Sequence, residues 1–148
     1  MQNHVFELAG TSDLAAVTSF YETVGYSGGV HPGDRLLVGL LDGRIVAAVR
    51  LCEEEGLLVL RGMYVAPDFR SRRLGTELLR FASLEIGPQE CWCVPYEHLT
   101  GFYAEIGFRV CAGESVPEFL VERQARYAGN GHVVTIMRRR AGLPVTEA

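Results

Sequence analysis

The spacing of apolar and polar positions changes several times along the chain, and each change marks a new element. Residues 5–8 are a short strand candidate. Thr11, Ser12 and Asp13 offer capping oxygens to a helix, and Leu14, Val17, Tyr21 and Val24 follow at helical spacing until Gly25 stops it. The glycine-rich stretch 26–33, which also holds Pro32, predicts a mobile loop. Two apolar runs, 36–41 and 44–51, are joined by Asp42-Gly43, a pair suited to a type I′ hairpin turn. A second turn over 53–56 leads into a strand over 57–65. That strand is apolar on both faces around its middle, as a central strand requires.

Beyond Pro67, Leu74, Leu78, Leu79, Ala82 and Ile86 predict a helix with one buried face, ended by Gly87-Pro88. A strand over 90–94 follows. A second helical stripe contains Leu99, Phe102, Tyr103 and Ile106, and Gly107 stops it. Residues 108–111 read as a strand, 117–127 as a helix and 133–137 as a last strand, with a frayed tail after Arg140. Hairpins followed by strand–helix–strand–helix–strand give a mixed α/β fold. Its sheet is predominantly antiparallel and flanked by helices.

Composition narrows the function. A length of 148 residues fits a single domain over 1–148, with a motif-bearing core at about 34–110 and a C-terminal helix and strand at about 116–140. The formal net charge is −4, so a duplex-binding role is disfavoured and no nucleic-acid partner is expected. The N-terminus lacks the basic start and apolar stretch of a secretory signal, and no apolar run approaches membrane-spanning length. A cytoplasmic setting with reduced cysteines at Cys52, Cys91, Cys93 and Cys111 is expected. Cys91 and Cys93 alternate on a strand, but their spacing is not that of a zinc site, so buried thiols and no metal are expected. Glu53, Glu54 and Glu55 read as a solvated loop tip, or as a lure for a cationic amine. Arg138, Arg139 and Arg140 read as the solvent-facing end of the last strand.

Most of the chemistry lies in residues 60–79. A buried strand meets a proline-limited turn, and a helix with a basic first turn and a glycine follows. The first amides of a helix have no internal partner, and with the helix dipole and added arginines they form an anion site suited to a diphosphate. Gly75 lets backbone approach such a ligand closely.

This stretch resembles the acetyl-CoA-binding motif of the GNAT superfamily of N-acetyltransferases. Val65-Ala66-Pro67 matches the strand end, Arg70 the first motif position, Gly75 the last, and Leu78-Leu79 the usual leucine pair. Arg73 stands where the family normally has its middle glycine, and is expected in the helical region with its side chain outward. Residues 99–108, Leu-Thr-Gly-Phe-Tyr-Ala-Glu-Ile-Gly-Phe, resemble the family's second element, Phe-Tyr-x-x-x-Gly-Phe. The preceding Cys91–His98 stretch looks like a variant lacking the more common asparagine. The likeness covers roughly residues 34–110.

The resemblance implies fourth and fifth strands that splay apart around the pantetheine arm of acetyl-CoA, the co-substrate. Main-chain atoms of Met63 and Val65 would pair with that arm. Amides from Arg70, Ser71, Arg72, Arg73, Leu74 and Gly75, with Thr76 beside them, would hold the diphosphate. A primary amine on an unidentified acceptor would attack the thioester directly, with the Met63 N–H facing the oxyanion and Tyr103 as the general acid toward the departing sulfur. Tyr103 has a second reading, as a core aromatic beside Phe102 and Ile106. No carboxylate stands at 58–61 to act as base, which leaves Glu54, Glu55, His98 or bulk solvent. A competing reading keeps the fold as an acyl-CoA-binding sensor or partner module without chemistry. Homodimers are common in the superfamily, though no feature here demands one.

Overall fold

The structure, a computed structural model, describes residues 4–70, 73–113 and 115–142. The expected contacts of Ser71 and Arg72, and the frayed tail from residue 143 onward, lie outside the described residues. The strands are β1 (His4–Leu8), β2 (Arg35–Leu41), β3 (Arg44–Glu54), β4 (Leu57–Val65), β5 (Cys91–Cys93), β6 (Arg109–Val110) and β7 (Met137–Arg139). The helices are α1 (Leu14–Val24), α2 (Leu74–Ile86), α3 (Thr100–Ala104) and α4 (Glu118–Gly129). The strands form one sheet in the order β1-β2-β3-β4-β5-β7-β6, antiparallel throughout except for the parallel pair β4–β5.

Local chemistry explains the frame. Asp42 and Gly43 both take positive φ, 50° and 79°, as the type I′ hairpin between β2 and β3 requires. α2 turns Leu74, Leu78, Leu79 and Ile86 into the sheet, all essentially inaccessible to water. Each such burial contributes at most about 1.5–3 kcal/mol, so this face anchors the helix. One side of the sheet packs against α2 and α3. The other side carries α1 over Leu36, Val38 and Ala48, and α4 over Val59 and Trp92.

Three expectations need correction. β3 does not end at Leu51 but runs on to Glu54, because Cys52, Glu53 and Glu54 pair with Val59, Leu58 and Leu57 of β4. The tight turn shrinks to Glu55-Gly56, and Glu54 leaves the loop tip to bind Arg123 and Arg61. The last strand sits later than expected, over Met137–Arg139, where it has partners on both sides in β5 and β6. The Val133–Thr135 backbone instead runs beside Pro95, Tyr96 and Glu97, joined by one isolated bridge between Val134 and Tyr96. Arg139 is completely buried and Arg138 pairs with Glu90, so of the three terminal arginines only Arg140 ends in solvent.

Cys52, Cys91 and Cys93 are buried, and burial pushes the Cys52 and Cys91 thiols up to about 12. Cys93 is raised well above its ordinary value for the same reason. A thiol held protonated is a poor nucleophile. Iodoacetamide is therefore expected to alkylate Cys111 first in the native protein and all four cysteines only after denaturation, as intact-mass spectrometry would show. Among the described residues no group of three or more His, Cys, Asp or Glu side chains is arranged to hold a metal. No described helix is long and apolar enough to cross a membrane.

Candidate functional site

β4 changes its company midway. Toward β5 only Val59 and Leu60 are paired, with Trp92 and Cys93. Residues 61–65 have no partner on that side among the described residues, because the chain after β5 turns toward Val134 instead. The two strands part at Leu60 and Cys93. The strand edge this leaves is one to which an extended ligand can add.

At the same place β4 slips against β3, where Arg50 pairs with Arg61 but Ala48 pairs with Tyr64. Gly62 and Met63 take up the extra length. Gly62 has φ 65°, and its carbonyl accepts a hydrogen bond from Tyr21 Oη at 2.9 Å. A Cβ at residue 62 would come within 3.0 Å of Tyr26 Cε2 and 3.1 Å of Tyr21 Oη. Backbone angle and crowding both demand glycine here.

Met63 and Val65 face the α2 side of the sheet, packed against its core. A Cβ on Gly75 would lie 3.6 Å from both Val65 Cγ2 and Phe102 Cζ, so the end of β4, the first turn of α2 and α3 converge. α2 begins at Leu74, which places Leu74, Gly75 and Thr76 in the turn whose amides a helix cannot satisfy internally. The Arg70 amide is instead directed to Pro67 O at 3.4 Å, and its Nε donates to Val65 O at 3.1 Å. Arg70 thus braces the turn, with its side chain still exposed. Arg73 is exposed as well, but its backbone is left-handed, with φ 62° and ψ 12°, and not helical as expected.

Tyr103 stands behind the parting strands. Its ring meets Phe102 and Phe108 edge-on, and its hydroxyl has no hydrogen-bond partner among the described residues. Burial first, then the nearby Cys93 and Tyr64, raise its pKa well above the ordinary phenol value. Tyr103 is thus buried in the core, as its second reading expects, and it lies near Cys93 and Tyr64 beside the gap.

The opposite face of β4 holds a polar layer that the sequence patterns gave no sign of. Arg50, nearly inaccessible, donates from Nε to Asp34 Oδ2 at 2.8 Å and from Nη1 to Tyr26 Oη at 2.6 Å. Arg61 lies 3.5 Å from Glu54 and 3.4 Å from Tyr127 Oη, while Glu54 binds Arg123 more closely. Burial opposes the charge on Arg61, but Tyr127, Tyr26 and Glu54 outweigh it and keep the guanidinium protonated. Tyr21, Tyr26 and Tyr64 pack ring to ring beside them. At the rim Tyr96 stacks on His98 and its hydroxyl shares a hydrogen bond with His132 Nδ1 at 3.1 Å. Glu54, a candidate base by sequence, is occupied by two guanidiniums, and Glu55 is exposed at the turn.

A family profile described as an acetyltransferase (GNAT) domain matches residues 32–110, the stretch that contains this gap and both motifs. The chain belongs to the GNAT acetyltransferase family. Solved GNAT-fold structures superpose over nearly the whole chain. A GNAT-family acetyltransferase from Streptococcus pneumoniae gives a TM-score of 0.70 at 15% identity, covering 95% of this chain and 100% of that one. An acyl-CoA N-acyltransferase from Pseudomonas aeruginosa gives 0.68 at 16%, covering 94% and 99%. The ribosomal-protein-S18-alanine N-acetyltransferase from Escherichia coli gives 0.66 at 16%, covering 99% and 96%. At these identities the likeness is one of fold. No curated protein matches the sequence significantly.

The GNAT motif also gives the left-handed Arg73 a physical meaning. The family's middle glycine falls on the residue whose backbone must be left-handed, which costs an arginine roughly 1–2 kcal/mol that glycine avoids. Arg73→Gly is expected to stabilise the GNAT fold by about 0.5–1 kcal/mol, since glycine's extra unfolded-state entropy cancels part of the relief. Urea denaturation would measure it, and a loss of stability would contradict the strained geometry.

Proposed function

We propose that the protein transfers an acetyl group from acetyl-CoA to a primary amine. The observation that carries this reading is the parting of β4 and β5 at Leu60 and Cys93, directly beside the first turn of α2. The residues fit the co-substrate. A partnerless strand edge suits an amide-bearing arm, and first-turn amides with Arg70 and Arg73 nearby suit a diphosphate. Acetyl-CoA supplies the thioester carbonyl that the amine attacks.

The chain's own groups meet three demands. Met63, in the slipped segment, offers its backbone N–H to the carbonyl oxygen as negative charge builds there. A fixed donor of this kind contributes roughly 2.7–4 kcal/mol. Tyr103 holds its proton at neutral pH and gives it to sulfur as the C–S bond breaks and the C–N bond forms. The amine's surplus proton leaves to water along the polar face, since β4 carries no carboxylate and Glu54 is engaged. An ordinary lysine-like amine is neutral only about once in a few thousand molecules at pH 7, so the rate is expected to climb as pH rises.

Calorimetric titration of the folded protein with acetyl-CoA tests the binding half, and release of free CoA thiol across an amine panel tests the transfer half. Saturable binding near 1:1 with amine-dependent thiol release is expected. Absence of binding by acetyl-CoA and longer acyl-CoAs alike would overturn the proposal.

A further inference from the structure

On the β4 face opposite α2, between α1 and α4, the ion pairs do not balance. Among the described residues, the only carboxylates paired with Arg50, Arg61 and Arg123 in this layer are those of Asp34 and Glu54. Two of the cations hold a carboxylate closely, although the buried Arg123 Nε has no hydrogen-bond partner among the described residues. Arg50 has Asp34 at 2.8 Å and Tyr26 at 2.6 Å, and Arg123 holds Glu54 closely with both terminal nitrogens directed at it. Arg61 receives what is left, the far oxygen of Glu54 at 3.5 Å and Tyr127 Oη at 3.4 Å. Its side chain is 20% exposed, and none of its nitrogens is both buried and unpartnered, so the donors that the protein leaves free are open to solvent and to a ligand. A partly exposed guanidinium with two long contacts and five donors has donors to spare, and a planar anion is its natural partner.

Position makes this more than a local imbalance. Arg61 is the first β4 residue past the last β5 pair, and it lies two residues before Met63. Two residues of extended strand would span roughly 7 Å, and the left-handed Gly62 between them keeps the separation no larger than that. A group held by Arg61 and an amine presented beside Met63 would therefore belong to one small molecule. The neighbouring surface is built from Tyr26, Tyr64 and Tyr127, which are apolar on their faces and able to hydrogen-bond at their tips.

Resting on the acetyl-transfer reading above, we propose that the acceptor is a small amino acid, an amine carrying a carboxylate, and that Arg61 is the specificity-determining residue that binds this carboxylate. Arg61 acts in acceptor binding and touches neither the thioester nor the proton transfers.

The test compares amino acids with their carboxamides and with the decarboxylated amines, following CoA thiol release by the full chain. Acids are expected to exceed the other two by roughly 10- to 100-fold in kcat/KM, the range of a charged hydrogen bond. Arg61→Gln should abolish the preference chiefly by raising KM, with kcat changed far less, and Arg61→Lys should restore part of it. Retained acetyl-CoA affinity and an unchanged melting profile certify that the variants fold. The wild-type comparison stands even if they do not.

Equal use of acids and carboxamides, or a preference that survives in Arg61→Gln, overturns the proposal while leaving acetyl transfer intact. If acetyl-CoA binds but no amine is consumed, N-acetylated amino acids are titrated into the CoA-loaded protein. Tighter binding than their carboxamides supports the proposal, and equal or absent binding overturns it. Failure to bind any acyl-CoA removes the transfer reading itself, and this inference with it.

Discussion

Replacing Tyr103 with phenylalanine is expected to lower turnover by roughly 10²–10⁴-fold while leaving acetyl-CoA affinity nearly unchanged. That range corresponds to about 2.7–5.5 kcal/mol of barrier. The substitution is unusually clean here. Tyr103 packs through its ring, against Phe102 and Phe108, and the phenylalanine ring preserves those contacts. Its hydroxyl has no protein hydrogen bond among the described residues, so none is lost on removal, and stability should change by under about 1 kcal/mol. A large kinetic effect with unchanged folding would thus isolate the hydroxyl's work at the sulfur. The pH profile adds an independent check. Burial raises the Tyr103 pKa, so the group stays protonated through the range where an exposed phenol ionises near 10, and the rising rate should show no fall there from this residue. Turnover equal to wild type would assign Tyr103 to the core alone.

Much of this frame was legible from sequence because it depends on local rules. The α2 stripe of Leu74, Leu78, Leu79, Ala82 and Ile86 is an apolar face at period 3.6, and all five are buried. The Asp42-Gly43 turn is equally local, as is the passage from Val65 through Pro67 into a basic helix start. What escaped the sequence depends on partners far away in the chain. The register slip at Gly62 is set by β3 and by Tyr21, which lies 41 residues earlier. Glu54 reads as loop until Arg123, 69 residues on, reaches back to bind it. Arg73 was expected to be helical because its residue type favours that region, whereas the motif position it occupies dictates a left-handed backbone. A periodicity argument scores arginine as polar and therefore outward, so it cannot find Arg50 or Arg139, whose charges are satisfied inside the fold.

Arg139 supplies the largest expected stability effect. Its Nε donates to Ile106 O at 2.7 Å, Nη1 to Gly87 O at 2.7 Å and Nη2 to Ser83 Oγ at 3.2 Å. These acceptors lie at the C-terminal end of α2 and just beyond α3, where the helix dipole presents negative potential. The guanidinium is held by these dipoles with no carboxylate ion pair among the described residues, and burial lowers its pKa. Through it β7 joins the C-terminal end of α2 to the segment following Tyr103. Arg139→Ala would leave two buried carbonyls without their donor and open a cavity, at a cost of roughly 3–5 kcal/mol. For a chain of this size that corresponds to a melting temperature lower by roughly 10 °C. Arg138→Ala makes the necessary comparison. Arg138 is partly exposed, pairs with Glu90 and lies over the Trp92 ring, so its loss should cost no more than about 1 kcal/mol. Parallel urea titrations of the two variants, with similar m-values, decide the matter. Equal losses would mean that the buried guanidinium contributes no more than the one beside it on the surface.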